Sequence, residues 1–277
     1  MSELRTIKKV ITGSNATDGA GVKLVRVMGY YDTKDFDPFL MLDAFDSTNP
    51  NDYIKGFPWH PHRGIETITY LVKGDIEHGD SLGNKGSILD GQCQWMTAGS
   101  GIIHQEMPKP CDRMLGVQLW LNLPAENKMV APKYRGITKE DIPVTIENDK
   151  KIHVIAGSYH GTIGAVQGDY TQILYLDVEL QNGAEWVLDT EKDNTLFVYI
   201  LEGAASFGTD EVISEKHGIL FHEGTKLTVK AEQSVRFLLL SGKPLKEPIA
   251  WGGPIVMNTK EELDLAFREL DDNTFIK

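Results

Sequence analysis

Two short stretches contain the residue types and spacing to hold a metal. Phe57-Pro58-Trp59-His60-Pro61-His62-Arg63-Gly64-Ile65-Glu66 carries two histidines one residue apart, and Gly101-Ile102-Ile103-His104-Gln105-Glu106 carries a histidine and a glutamate at the same spacing. In an extended strand alternate side chains share a face, so His60 goes with His62 and His104 with Glu106. Two such pairs set face to face surround one point with three imidazoles and a carboxylate. That donor set suits a divalent transition metal and leaves positions open for a ligand. Glu66 competes for the carboxylate role, but it lies four residues beyond His62. An unbroken strand would carry it about 13 Å away, so it joins only if the chain bends sharply near Gly64.

The other reactive residue types read as structural. His78, within Glu77-His78-Gly79-Asp80-Ser81, is expected to be a hydrogen-bonded loop histidine, and His153, His160, His217 and His222 show no ligand spacing. Cys93 has no second cysteine near it and is expected to be a small buried residue. Phe57, Trp59, Trp95 and Met96 lie near the ligands in sequence and either line a pocket or pack the core. No Walker or G-x-G-x-x-G pattern is present, which removes the common nucleotide and dinucleotide readings.

These residues need a scaffold, and the chain has the length for one. Its 277 residues are 41% hydrophobic and 25% charged, ordinary for a soluble protein of one or two domains. A net charge of -12 argues against nonspecific nucleic-acid binding and is compatible with a protein partner. Two cysteines, Cys93 and Cys111, make no disulfide framework, so a reducing compartment is expected. The first nine residues lack the apolar core of a signal peptide and no run is long enough to span a bilayer, so the expected location is cytoplasmic.

Short strands punctuated by glycines fill the first half: 6–11, 22–28, 39–45, 66–72, 75–80, 87–90, 92–97, 102–106 and 115–123, with a turn region at 13–21. This spacing indicates an all-β sandwich or barrel and not a parallel α/β sheet. Residues 124–143, with three prolines and mixed charges, are the expected boundary, and a second strand-rich block runs from 144 to about 241. Tyr70-Leu71-Val72-Lys73-Gly74 resembles Tyr199-Ile200-Leu201-Glu202-Gly203, which suggests a duplicated barrel. Counting back from Tyr199 as from Tyr70 puts Asp189 and Glu191 where His60 and His62 stand, so only one copy keeps the histidines. Trp251-Gly252-Gly253-Pro254 reads as a linker into one helix, opened by a Thr259/Glu262 capping box. Leu263, Ala266, Phe267 and Leu270 share the face of that helix expected to be buried at the junction of the two blocks.

The stretch from His60 to Tyr70 and the stretch Gln94-Trp95-Met96-Thr97-Ala98-Gly99-Ser100-Gly101-Ile102-Ile103-His104-Gln105-Glu106 resemble the signature of the pirin family. Gly253-Pro254-Ile255-Val256-Met257-Asn258-Thr259 is similar to that family's C-terminal segment, so the resemblance spans nearly the whole chain. It implies membership of the cupin superfamily and two tandem jelly-roll barrels with a short C-terminal helix. Residues 1–135 would form the metal-bearing barrel, and 136–277 a degenerate barrel together with the helix.

The resemblance also implies a metal held by His60, His62, His104 and Glu106, with Glu66 at the carboxylate place of other cupins. The implied cofactor is iron(II), with manganese, nickel, copper, cobalt or zinc as alternatives. Where the family usually has an aliphatic residue this chain has Cys93. Some bacterial pirins resemble quercetinases, oxidoreductases that open a flavonol with dioxygen and release carbon monoxide. That implies an aromatic substrate and Glu106 as the catalytic base. Eukaryotic pirins resemble redox-sensing regulators that act through contact with a protein, and this is the alternative.

Overall fold

The computed structural model describes residues 3–277; Met1 and Ser2, at the start of the expected first domain, lie outside them. The chain is mostly β and forms two compact units. One comprises Ser14–Thr33, Phe39–Lys139 and Leu245–Lys277, and the other Met1–Gly13, Lys34–Pro38 and Glu140–Pro244.

In the first unit a seven-stranded sheet runs in the order Lys133–Ile137, Cys93–Thr97, Ile65–Lys73, Met114–Asn122, Phe39–Ser47, Val22–Met28, Ser14–Asp18. A four-stranded sheet runs Phe57–His62, Ile102–Pro108, Ile76–Asp80, Lys85–Ile88. The second unit repeats the plan. Its seven strands are Ile7–Ile11, Gly218–Phe221, Thr195–Glu202, Val235–Gly242, Ile173–Leu180, Lys150–Ala156 and Val144–Glu147. Its four are Glu185–Asp189, Lys226–Ala231, Ala204–Phe207 and Val212–Ser214. Tyr70 and Tyr199 lie on the third strand of their respective sheets, so the short sequence match marks an architectural repeat.

The division at 135/136 differs from these units at both ends of the chain. Ile7–Ile11 pairs with Gly218–Phe221 and fills, in the second unit, the edge that Lys133–Ile137 fills in the first. An open edge would leave a row of backbone donors and acceptors unpaired, and the N-terminal strand supplies the missing ladder. The C-terminal helix Lys260–Asp271 belongs to the first unit. Its capping box is present as expected. Its apolar face packs against the chain's own tail: Ala266 packs with Ile255, Met257 and Phe275, and Leu263 and Leu270 join them. Phe267 stays 38% exposed. Two local expectations fail for a related reason: 14–18, rich in turn-forming residues, is a strand paired with 22–26, and 250–257 is a hairpin, not a linker.

The second unit's interior is apolar where the first carries histidines. Trp186 and Leu188 on one strand, and Leu227 and Val229 on its neighbour, are buried in one hydrophobic cluster. Charge is kept to its flank, where Glu179 accepts from His153 at 3.0 Å and Lys151 at 3.1 Å. These partners, with Arg236 nearby, hold the Glu179 carboxyl down at about 2 from its ordinary 4.5. A carboxylate depressed on folding stabilises above its unfolded pKa, and that stability is lost as pH falls from about 4.5 toward 2. Glu179→Gln is therefore expected to lower melting at neutral pH and to converge on wild type as pH falls toward 2, which flattens the acid limb of the melting-temperature profile in this window. An unchanged acid limb would refute this.

Candidate metal centre

The site is built on one strand pair of the first unit. Phe57–His62 runs antiparallel to Ile102–Pro108, with His104 opposite His60 and Ile102 opposite His62. Opposed residues share a face, so the register brings three imidazoles to one side of the pair. Ring centroids lie 4.3 Å apart for His60 and His104, 4.9 Å for His60 and His62, and 5.1 Å for His62 and His104. One nitrogen from each ring falls within 4.8 Å of the others, and among the described residues this is the group with metal-holding geometry.

Hydrogen bonds fix two of the rings. Nδ1 of His60 lies 2.8 Å from Pro58 O, and Nδ1 of His62 lies 3.0 Å from Pro254 O. A carbonyl only accepts, so Nδ1 carries the proton in each and Nε2 presents a lone pair. Burial lowers the pKa of all three histidines, that of His62 to about 3, so the rings are neutral near pH 7. His104 is 1% exposed, and neither of its ring nitrogens has a hydrogen-bond partner. Burying an imidazole with nothing to bind is costly, and a metal ion removes that cost. The donor set therefore fits a divalent transition metal.

The two candidate carboxylates are placed differently. Both stand outside the 4.8 Å group. Glu66 is fully buried and its Oε1 accepts from Thr97 Oγ1 at 2.6 Å. Glu106 lines the cavity beside His60 and His62, and its Oε1 lies 2.8 Å from Thr69 Oγ1. The ladder to Phe57–His62 slips opposite His104 and Glu106, with the extra residue on the Phe57–His60 side, while His104 and Glu106 keep regular register with Asp80 and His78 and share a buried face. Thr69 Oγ1 also lies 2.5 Å from Gln118 Oε1. One hydroxyl has one proton to give: Thr69 donates to Glu106 Oε1, with Gln118 Oε1 as the competing acceptor. Burial outweighs that hydrogen bond, which favours the carboxylate, and pushes the Glu106 carboxyl up to about 7.

His60 and His62 open onto a cavity of about 730 Å³, lined also by Glu106, Trp120, Trp251 and Arg26. Trp120 meets His62 edge to face at 5.0 Å and Trp251 lies 5.6 Å from Trp120. Arg26 brings a charged rim, held to Asp43 by paired bonds of 2.9 and 2.7 Å. Of the aromatic and sulfur side chains near the ligands in sequence, Phe57 lines the cavity; Trp95 and Met96 are buried core, and Trp59 is 53% exposed. Sequence reasoning missed Trp120, Trp251, Arg26, Thr69 and Gln118, because residues that gather only through the fold leave no local spacing to read. His78 is not a loop residue: it sits on Ile76–Asp80, is 7% exposed, and stacks on Tyr134 with its Nε2 2.5 Å from the phenol oxygen. Cys93 is buried, and that burial raises its thiol pKa, as suits an inert thiol.

The tail of the chain clasps the turn that follows His62. Gly64 has φ +77°, and a Cβ there would collide with Val256 O, so glycine is required. Lys128 Nζ bonds Gly64 O and Val256 O, each at 2.8 Å, and Asn122 Oδ1 at 2.6 Å. Buried Arg63 donates to Ser100 O at 2.6 Å and Phe275 O at 3.0 Å, pairs with Glu269 at 2.6 Å, and lies 4.2 Å from the Phe275 ring centre. Among the described residues no helix is long and apolar enough to cross a membrane.

Comparison with known proteins matches the pirin domain over residues 21–121 and the pirin C-terminal cupin domain over 175–276. A Pseudomonas aeruginosa protein provisionally named as a quercetin 2,3-dioxygenase is 43% identical, with 98% of each chain covered. A pirin-like protein of Caulobacter vibrioides is 41% identical over 98% of this chain and 99% of its own. The crystal structure of quercetin 2,3-dioxygenase from Acinetobacter baumannii superposes with a TM-score of 0.91 at 33% identity, covering 98% of each chain.

Proposed function

The chain belongs to the pirin family, and from that premise we propose that it is an iron-dependent dioxygenase that cleaves flavonols such as quercetin. The observation that carries this reading is the cluster of three neutral imidazoles, one of them with both nitrogens unsatisfied and the other two lining an aromatic-walled cavity. The cavity, at about 730 Å³, is of a size that takes a drug-sized planar molecule. His60, His62 and His104 would hold iron(II), with Glu106 as a fourth ligand. When bound, the ion would supply a Lewis-acidic, redox-active centre with open positions for substrate and dioxygen.

The chain's own residues do the rest. Trp120 and Trp251 give flat apolar walls on which a flavonol can stack, and they exclude water from the reacting face. Glu106 takes the proton of the flavonol hydroxyl on Oε2, since Thr69 occupies Oε1. Its raised proton affinity near neutrality suits that task, and a cation at the cluster lowers it enough to leave the carboxylate free to accept. Flavonol and dioxygen then give the ring-opened ester and carbon monoxide, with no external reductant consumed.

The test is anaerobic loading with iron(II), then quercetin and air, with flavonol absorbance and carbon monoxide followed together. Carbon monoxide release that needs both iron and His60, judged with His60→Ala, supports the reading; iron retained with no flavonol consumed refutes it. Glu106→Gln keeps the shape and loses the base, so turnover is expected to fall by about 10²–10⁴-fold while part of the iron remains bound. Unchanged turnover would remove Glu106 from the mechanism.

A further inference from the structure

A continuous row of aromatic rings leads away from the histidine cluster. His62 lies 5.0 Å from Trp120 between ring centroids, Trp120 5.6 Å from Trp251, Trp251 5.7 Å from Tyr30, and Tyr30 5.2 Å from Tyr31. His62 is 2% exposed at one end, and Tyr31 is 95% exposed at the other. Every step is an ordinary aromatic contact, so the row has no gap. Core packing does not account for it, because Tyr30 and Tyr31 bury too little surface to gain much from burial. A substrate platform accounts for Trp120, Trp251 and Tyr30, which line the cavity, but not for Tyr31, which does not.

Tryptophan and tyrosine are the aromatic side chains most readily oxidised by one electron. Electron tunnelling falls steeply with distance, so several short hops carry charge where one long jump fails. We propose that Trp120, Trp251, Tyr30 and Tyr31 form an electron route from the surface to the metal cluster, which discharges oxidising equivalents left there when dioxygen or peroxide reacts without substrate. The biological occasion for this rests on the dioxygenase reading; the route itself needs only a redox metal at the three histidines.

With peroxide as the oxidant, each hydrogen peroxide takes two electrons and two protons and yields two waters. Iron(II) held by His60, His62 and His104 would supply one electron and be left as iron(III), and Tyr31 supplies the other. The Tyr31 phenol passes its electron inward through Tyr30, Trp251 and Trp120 and its proton to bulk water, leaving a neutral tyrosyl radical at the surface. An external thiol then returns a hydrogen atom to Tyr31, and two of the resulting thiyl radicals pair as a disulfide in solution. Trp251 is held in the row by its Nε1, which donates to Gly253 O at 2.8 Å. Sacrificing an exposed, repairable phenol spares His62 and its neighbours from oxidation.

The experiment mixes iron(II)-loaded protein with hydrogen peroxide in the absence of flavonol. The readouts are frozen-solution EPR and mass-spectrometric mapping of a nitroso spin trap. Wild type is expected to give a tyrosyl signal with the trap on Tyr31, and Tyr31→Phe to move the trap to Tyr30. Trp251→Phe should abolish surface trapping and shift oxidation to Trp120 or His62, and exposed Tyr30→Phe should interrupt the row without threatening the fold. Trapping on Tyr31 that is equal in Trp251→Phe, or that persists in metal-free protein or His60→Ala, would overturn the route. Flavonol cleavage with no tyrosyl radical would overturn the route alone; a radical that follows this pattern without flavonol cleavage would uphold it and count against the dioxygenase alone.

Discussion

His104→Ala is expected to abolish the stabilisation that iron(II) confers while barely changing the stability of the metal-free protein. A ligand present at about a thousand times its dissociation constant stabilises the folded state by about 4 kcal/mol. At about 2–4 °C per kcal/mol for a domain of this order of size, that is a rise of about 10 °C in the melting of the histidine-bearing unit. Losing one of three clustered imidazoles removes most of that rise. In the metal-free protein two effects oppose each other. Deleting the ring leaves a cavity at a site only 1% exposed, which costs stability. It also removes two buried nitrogens that have no partner, and that relieves a desolvation penalty of about 1–3 kcal/mol. Calorimetry of both proteins with and without iron(II), together with metal analysis, separates the terms. A variant that keeps its metal-dependent shift, or that unfolds without metal, would show that His104 serves the core and not an ion.

The three histidines were legible in the sequence because alternation along a strand is a local rule, and His60, His62 and His104 obey it. The duplication was legible for a similar reason: Tyr70-Leu71-Val72-Lys73-Gly74 and its counterpart occupy the same place in two sheets. What local rules could not supply was long-range closure. Trp251-Gly252-Gly253-Pro254 has linker composition, yet Trp251 and Pro254 line the cavity, and Pro254 O fixes His62 across 192 residues of chain. Likewise, nothing within residues 7–11 says that their edge partner is Gly218–Phe221. Glu106 shows the limit from the other side. Spacing put it on the face of His104, where it lies, but a bulge in the opposing Phe57–His60 segment and the Thr69 hydroxyl leave it beside the cluster and outside the 4.8 Å group.

That long-range closure makes Arg63 the position where a substitution remote from any ligand should damage the site most. Arg63 is 1% exposed, and its guanidinium joins Ser100 O, Phe275 O and Glu269 on three sides, with the Phe275 ring against it. Arg63→Ala strips the partners of a buried ion pair and leaves two carbonyl groups without their donor. A loss of about 3–5 kcal/mol is expected in urea or thermal unfolding. The first part to loosen should be the tail, because these bonds, with those of Lys128, tie residues 254–275 to the turn after His62. Once the tail lifts, Pro254 O no longer fixes the His62 ring, and losing such support for a ligand weakens metal binding by about 10–100-fold. Glu269→Gln is the milder companion: Arg63 keeps both carbonyls, so the stability loss should be smaller and the iron affinity close to wild type. Limited proteolysis reads the tail directly, with Arg63→Ala expected to be cut between 245 and 277 well before wild type. If that tail stays protected while iron affinity falls, or if iron affinity is unchanged once the tail is cut, the clasp does not position His62.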